Sequence, residues 1–234
     1  MKASERVCIA LDYPSREEVL GAARRFGPRV GWLKIGLEAF VAEGPQLVRE
    51  VALSARVFLD LKLHDIPNTV AGAARAAAKS GASLINVHAS GGRAMLAAAR
   101  EALSFAGAPR LVAVTLLTSL DARALADLPM TGEPEAIARR LAMLSRECGL
   151  DGVVCSAQDL PEIRRACGPD FLTVVPGLRP SGAALADQKR AATPAAALSA
   201  GADVLVIGRP VTAAADPDAA LSALLSEIES ASRE

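Results

Sequence analysis

The sequence predicts an α/β fold, a (β/α)8 TIM barrel forming a single domain over residues 1–234. Three observations carry that expectation. Short runs rich in Val, Ile and Leu recur eight times, each followed by an Ala-rich segment of helical periodicity, the alternation that builds a parallel sheet with helices outside it. The alternative, a doubly wound open sheet, needs fewer strands and a glycine-rich first turn, but the first run leads into LDYPS with no GxGxxG. Finally, 234 residues with 51% apolar side chains are enough to bury one sizeable core.

Taken in order, the predicted strands cover residues 7–12, 32–36, 57–63, 84–88, 111–118, 152–156, 172–176 and 204–208, lengths suited to buried strands. The predicted helices cover 15–26, 37–53, 67–79, 93–105, 134–148, 157–166, 193–200 and 213–228. Gly81, Gly149 and Gly201 follow helical patterns, where the left-handed position that ends a helix favours glycine. Two connections, 119–133 and 177–192, are longer than a compact βα loop requires. Gly132 with Pro129 and Pro134 in the first, and Gly177, Pro180 and Gly182 in the second, suit loops that act as lids.

Charge excludes several classes of partner. Lys plus Arg and Asp plus Glu number 26 each, so no basic excess exists to neutralise a nucleic-acid backbone, and no polybasic arm to hold a membrane surface. No apolar run reaches the roughly 18–20 residues that span a bilayer. The first residues lack the apolar core of an export signal, and a cytoplasmic location is expected. The cysteines, Cys8, Cys148, Cys155 and Cys167, form no CxxC pair and have no His at finger spacing; Cys8 and Cys155 sit in apolar runs and are expected to pack. No metal site is expected.

Chemistry concentrates at the carboxyl ends of the strands, the face on which barrel active sites are built. Asp12 ends the first predicted strand, Lys34 lies in the second, Asp60 and Lys62 in the third, His88 ends the fourth and Thr118 the fifth, and Arg209 follows the eighth. In VFLDLKLHD, Asp60, Lys62 and His64 alternate with Leu59, Leu61 and Leu63. Period two sends the leucines to the helices and Asp60 and Lys62 toward the axis, where Lys34 can also point. One carboxylate between two ammonium groups leaves net positive charge, which Asp65 just beyond the strand would balance. A lone Asp-x-Lys is as readily a structural ion pair, but convergence from adjacent strands at the functional face favours a catalytic site. Across the barrel, PGLRP carries Arg179 and IGRP carries Gly208 and Arg209, where glycine lets backbone N–H groups approach an anion and arginine offers a planar fork to phosphate. Gln188 adds a neutral donor. A phosphorylated small molecule is the expected ligand.

These motifs resemble, in order, those of the orotidine 5'-phosphate decarboxylase family: LDYP at 11–14, LKIG at 33–36, FLDLKLHDIPNTV at 58–70, VHASGG at 87–92, LLTS at 116–119, PGLRP at 176–180, DQKR at 187–190 and IGRP at 207–210. DxKxxDIPNT is the specific element. The resemblance implies that Lys34, Asp60, Lys62 and Asp65 form a charged tetrad in a homodimer, Asp65 being donated across the interface. It further implies that Asp12 and Lys34 hold the ribose, Thr118 the pyrimidine, and Arg179, Gln188, Gly208 and Arg209 the phosphate and lid, with Ile66 and Thr69 as further substrate contacts. The implied reaction converts orotidine 5'-phosphate to uridine 5'-phosphate and carbon dioxide in pyrimidine biosynthesis, Lys62 stabilising and protonating a C6 carbanion, with no cofactor. A metal-dependent hexulose phosphate synthase, a pentose phosphate epimerase using His64 and His88, and a non-catalytic phosphate-binding barrel are the alternatives.

Overall fold

The computed structural model describes residues 2–179 and 192–231. Eight parallel strands close into a barrel in sequence order: β1 (Val7–Ala10), β2 (Trp32–Ile35), β3 (Arg56–Leu63), β4 (Leu84–His88), β5 (Arg110–Val114), β6 (Gly152–Val154), β7 (Leu172–Val175) and β8 (Val204–Ile207), which pairs with β1. The predicted barrel is therefore present, with each strand where an apolar run placed it.

Around it stand α1 (Ala3–Arg6), α2 (Arg16–Phe26), α3 (Leu37–Glu43), α4 (Pro45–Val51), α5 (Pro67–Ala78), α6 (Gly92–Glu101), α7 (Ala122–Leu125), α8 (Pro134–Glu147), α9 (Leu160–Cys167), α10 (Pro194–Ser199), α11 (Arg209–Thr212) and α12 (Pro217–Ala231). Local chemistry sets their ends. The Ser15 hydroxyl accepts from the Glu18 N–H to start α2, and Thr193 does the same for α10 through Ala196. Gly81, Gly149 and Gly201 have φ of 88°, 77° and 99°, the left-handed positions anticipated for them.

Several boundaries differ from the sequence reading, among them the sixth strand, which ends at Val154, and the fourth predicted helix, α6, which ends at Glu101; three others bear more on the architecture. The helix expected over 37–53 is two, because Gly44 turns to φ 70° and Pro45 cannot donate to the preceding turn. The segment expected over 213–228 begins at Pro217, after the separate short α11. The fifth strand ends at Val114, so Thr118 lies in the following loop. Loop 119–133 contains α7 and is pinned by a small apolar cluster of Leu116, Leu125, Ile137 and Ala138.

Alternation along the strands sorts two cores. Cys8, Ala10, Trp32, Phe58, Leu84, Val112, Val114, Val154, Leu172, Val174, Val204 and Val206 fill the barrel, and the opposite parity, including Ile9, Leu33, Leu59, Ile85 and Ile207, packs under the helices. Cys8 and Cys155 are both fully buried, as their apolar runs required.

Candidate active site

The inward parity that carries Trp32 and Phe58 in the barrel continues upward to Lys34 and Asp60, which therefore rise from the apolar layer toward the carboxyl ends of the strands. Both are buried, at 9% and 8% exposure. Asp60 stands between two ammonium groups: Lys62 Nζ donates to its Oδ1 at 2.6 Å and Lys34 Nζ lies 3.6 Å from its Oδ2. Lys34 also donates to Asp12 Oδ1 at 2.9 Å. Asp12 lies beyond the end of β1 and is more than half exposed at its side chain. Gly36 leaves room for this pair, since a Cβ there would sit 3.0 Å from both Asp12 Oδ1 and Lys34 Nζ.

Electrostatics favour the ionised forms. Burial by itself would push the Lys34 ammonium down, but the charges of Asp60 and then Asp12 outweigh it and hold it above the ordinary lysine value. Burial would likewise raise Asp60, yet Lys34 and Lys62, together with hydrogen bonds from Lys62 and Asn86, hold its carboxyl below the usual range. Below them, burial drives the Cys8 thiol strongly up, so it stays protonated and inert.

The geometry of β3 departs from simple alternation. Its pairing with β4 shifts register between Leu59 and Leu63, and Lys62 adopts φ 52°. Asn86 spans the irregularity: its Oδ1 accepts from the Lys62 backbone N–H and its Nδ2 donates to Asp60 Oδ1, both at 2.7 Å. Sequence reasoning missed Asn86. The available signal was its place in LINVH, on the inward parity with Leu84 and His88. His88 sits beside His64, ring centroids 5.5 Å apart, and burial followed by the charges of His64 and Lys62 lowers its pKa.

Lys34, Asp60 and Lys62 are thus brought together within one chain, whereas Asp65 is not. Its Oδ1 accepts from the Ile66 N–H at 2.6 Å, in a stretch, 64–69, that is exposed throughout and includes Ile66 and Thr69. Lys34, Asp60 and Lys62 line a cavity of about 190 Å³ shared with Phe58, Val114, Leu116, Thr118, Pro176 and Val206. Its walls are apolar apart from a few convergent polar groups, the make-up of a small-molecule site. Arg179 follows β7 and Arg209 opens α11 after β8; these strands are neighbours, so both arginines belong to the same side of the mouth as Gly208. Gln188 falls outside the described residues. Among the described residues no three His, Cys, Asp or Glu side chains are grouped as metal ligands, and no helix is long and apolar enough to cross a membrane.

Comparison with known proteins gives a consistent picture. The family model described as orotidine 5'-phosphate decarboxylase / HUMPS matches residues 5–224. A protein of Anaeromyxobacter dehalogenans named orotidine 5'-phosphate decarboxylase is 55% identical over 226 residues, covering 96% of this chain and 98% of that one. One of the same name from Alkalilimnicola ehrlichii is 54% identical, over 95% of this chain and 96% of its own. The crystal structure of orotidine 5'-phosphate decarboxylase from Lactobacillus acidophilus superposes with a TM-score of 0.82 at 35% identity, covering 95% of this chain and 98% of that one.

Proposed function

This chain belongs to the orotidine 5'-phosphate decarboxylase family, and from that premise we propose how its barrel mouth converts orotidine 5'-phosphate to uridine 5'-phosphate and carbon dioxide. The observation that carries the reading is the buried Asp60 carboxylate held 2.6 Å from the Lys62 ammonium on the wall of the cavity.

The substrate's carboxylate on C6 is seated beside Asp60, where two like charges disfavour the bound anion. The bond from C6 to the carboxylate breaks, its electron pair remains on C6, and carbon dioxide leaves. Lys62 stabilises that developing charge, then transfers a proton from Nζ to C6, and solvent restores the lysine's proton. Asp12 and Lys34 hold the ribose hydroxyls, Lys34 through the hydrogen-bonding capacity its ion pairs orient. Thr118 contacts the pyrimidine from the loop. Arg179, Gln188, Gly208 and Arg209 take the phosphate, whose remote binding energy orders the loops around the reacting carbon.

Asp65 completes the charge balance from a second copy of the chain. Three features support this: its carboxylate accepts from the Ile66 N–H and forms no ion pair with Lys34 or Lys62, it lies in an exposed run, and Ile66 beside it is 67% exposed. Ile66 and Thr69 then reach the partner's substrate together with Asp65. The scheme asks for no cofactor.

The deciding experiment follows loss of orotidine 5'-phosphate by ultraviolet absorbance, with and without chelator. Turnover that chelator leaves unchanged is expected. Absence of turnover, or its abolition by chelator, would overturn the reading in favour of a binding protein or a metal-dependent sugar phosphate enzyme.

A further inference from the structure

Between the pairs Leu59–Ile85 and Leu63–Val87, β3 advances four residues while β4 advances two. Lys62 lies inside this bulge in the left-handed backbone region that residues with a Cβ avoid. Asn86, the β4 residue between the two pairs, engages both ends of it through the contacts to the Lys62 N–H and the Asp60 carboxylate. Chemistry fixes which way its amide points. A backbone N–H only donates and an ionised carboxylate only accepts, so Oδ1 must face the first and Nδ2 the second. At 1% exposure, no solvent can replace either bond.

We propose that Asn86 is a positioning residue for proton delivery, holding Asp60 turned toward Lys62 and holding the Lys62 backbone in the turn that presents its ammonium to the cavity. Asp60 has an ammonium on either side, at 2.6 Å for Lys62 and 3.6 Å for Lys34. A neutral donor fixed on Oδ1 stops the carboxylate rotating to share itself equally between them. The titratable groups around the pair are Lys34 from β2, with Asp12 beyond it, Lys62 from β3 itself, Cys8 from β1, and the His88 and His64 rings at the end of β4 and just past β3. The inference rests on the decarboxylase reading and deepens it.

The test compares Asn86→Asp and Asn86→Ala with the parent in steady-state decarboxylation across pH. An acid at residue 86 keeps an acceptor for the Lys62 amide; ionised it repels Asp60, and protonated it donates as the amide did. Near neutral pH, kcat of Asn86→Asp is expected to fall at least about tenfold while KM moves less than about threefold. Its kcat relative to the parent should climb as pH falls and the carboxyl pair takes up a proton, whereas Asn86→Ala loses kcat without that climb. A kcat within about threefold of the parent, or a loss whose ratio to the parent is flat with pH, would overturn the proposal. If Asn86→Ala does not fold, Asn86→Asp decides alone. An inactive parent overturns the decarboxylase reading and this one with it; an active parent with unaffected variants overturns only this one.

Discussion

Lys62 and Asp60, two residues apart on one strand, meet at 2.6 Å with the carboxylate buried and the lysine partly open to the cavity. An ammonium fixed this way has its donor aimed before any ligand arrives, so little reorganisation is left for the reaction itself. The substitutions below separate that role from those of the surrounding groups.

Lys62→Ala and Arg209→Ala should fail differently. Lys62→Ala removes the proposed proton donor and is expected to lower kcat by at least about 1,000-fold while product binding, followed by calorimetry, stays within about tenfold. Arg209→Ala removes the fork of donors proposed for the phosphate and should act mainly on KM, by about tenfold to a hundredfold. Equal loss of ligand affinity in both variants would contradict the division of roles.

Mixing tests whether the site is shared between chains. Lys62→Ala and Asp65→Ala proteins, each inactive, should regain activity under subunit exchange, because a mixed dimer contains one site with both groups intact. Continued inactivity after exchange has been demonstrated by mass spectrometry would show that Asp65 serves its own chain.

Acid should act through Asp60. Its folded pKa is depressed, so the stability it contributes is present above the unfolded value of 3.8 and is lost as pH falls through the folded one. Lys34 runs the opposite way: raised above 10.5, it contributes stability that disappears only as pH climbs through its folded value. Urea unfolding of the parent should therefore weaken below about pH 4, and Asp60→Asn should show a shallower acid slope. At neutral pH that variant should be less stable by about 3 kcal/mol, since two ammonium groups lose their shared partner. Parallel acid slopes in the two proteins would contradict the assignment.

Two glycines offer a contrast in packing. A Cβ on Gly152 would lie 2.0 Å from the Leu172 carbonyl oxygen in the adjacent strand, so Gly152→Ala should destabilise by at least about 2 kcal/mol. Gly21, in the interior of α2, has open space around its Cβ position, and Gly21→Ala should stabilise by about 0.5–1 kcal/mol. Denaturant midpoints measure both; a neutral Gly152→Ala would mean that the β6–β7 contact relaxes freely.

The eight strands were legible because each buried run is apolar on both faces and bounded by polar or glycine-bearing segments. Lys34, Asp60 and Lys62 were legible as a cluster for the complementary reason: charges interrupt those runs on one parity. The end of the fifth strand was not, since LLT continues the apolar run beyond Val114 while the backbone has already left the sheet. The break at Gly44–Pro45 was written in the residues but sat inside an unbroken helical period. Asn86 was hidden because an amide in an apolar strand carries no charge to mark it, and its meaning arises only from a register shift in the strand beside it. Asp65, which the proposal assigns to a partner's site, lies past the end of β3, where strand periodicity no longer says which way a side chain points.

That register shift makes one octapeptide unusually intolerant of length change. Deleting a single residue from Arg56–Leu63 would act like a frameshift confined to one stave of the cask: everything downstream in it would swap inside for outside, turning a leucine into the vestibule and the amine into grease. Evolution can lengthen the loops of such a molecule at small cost, but the count of residues between Leu59 and Leu63 is as much a part of the catalyst as their identity.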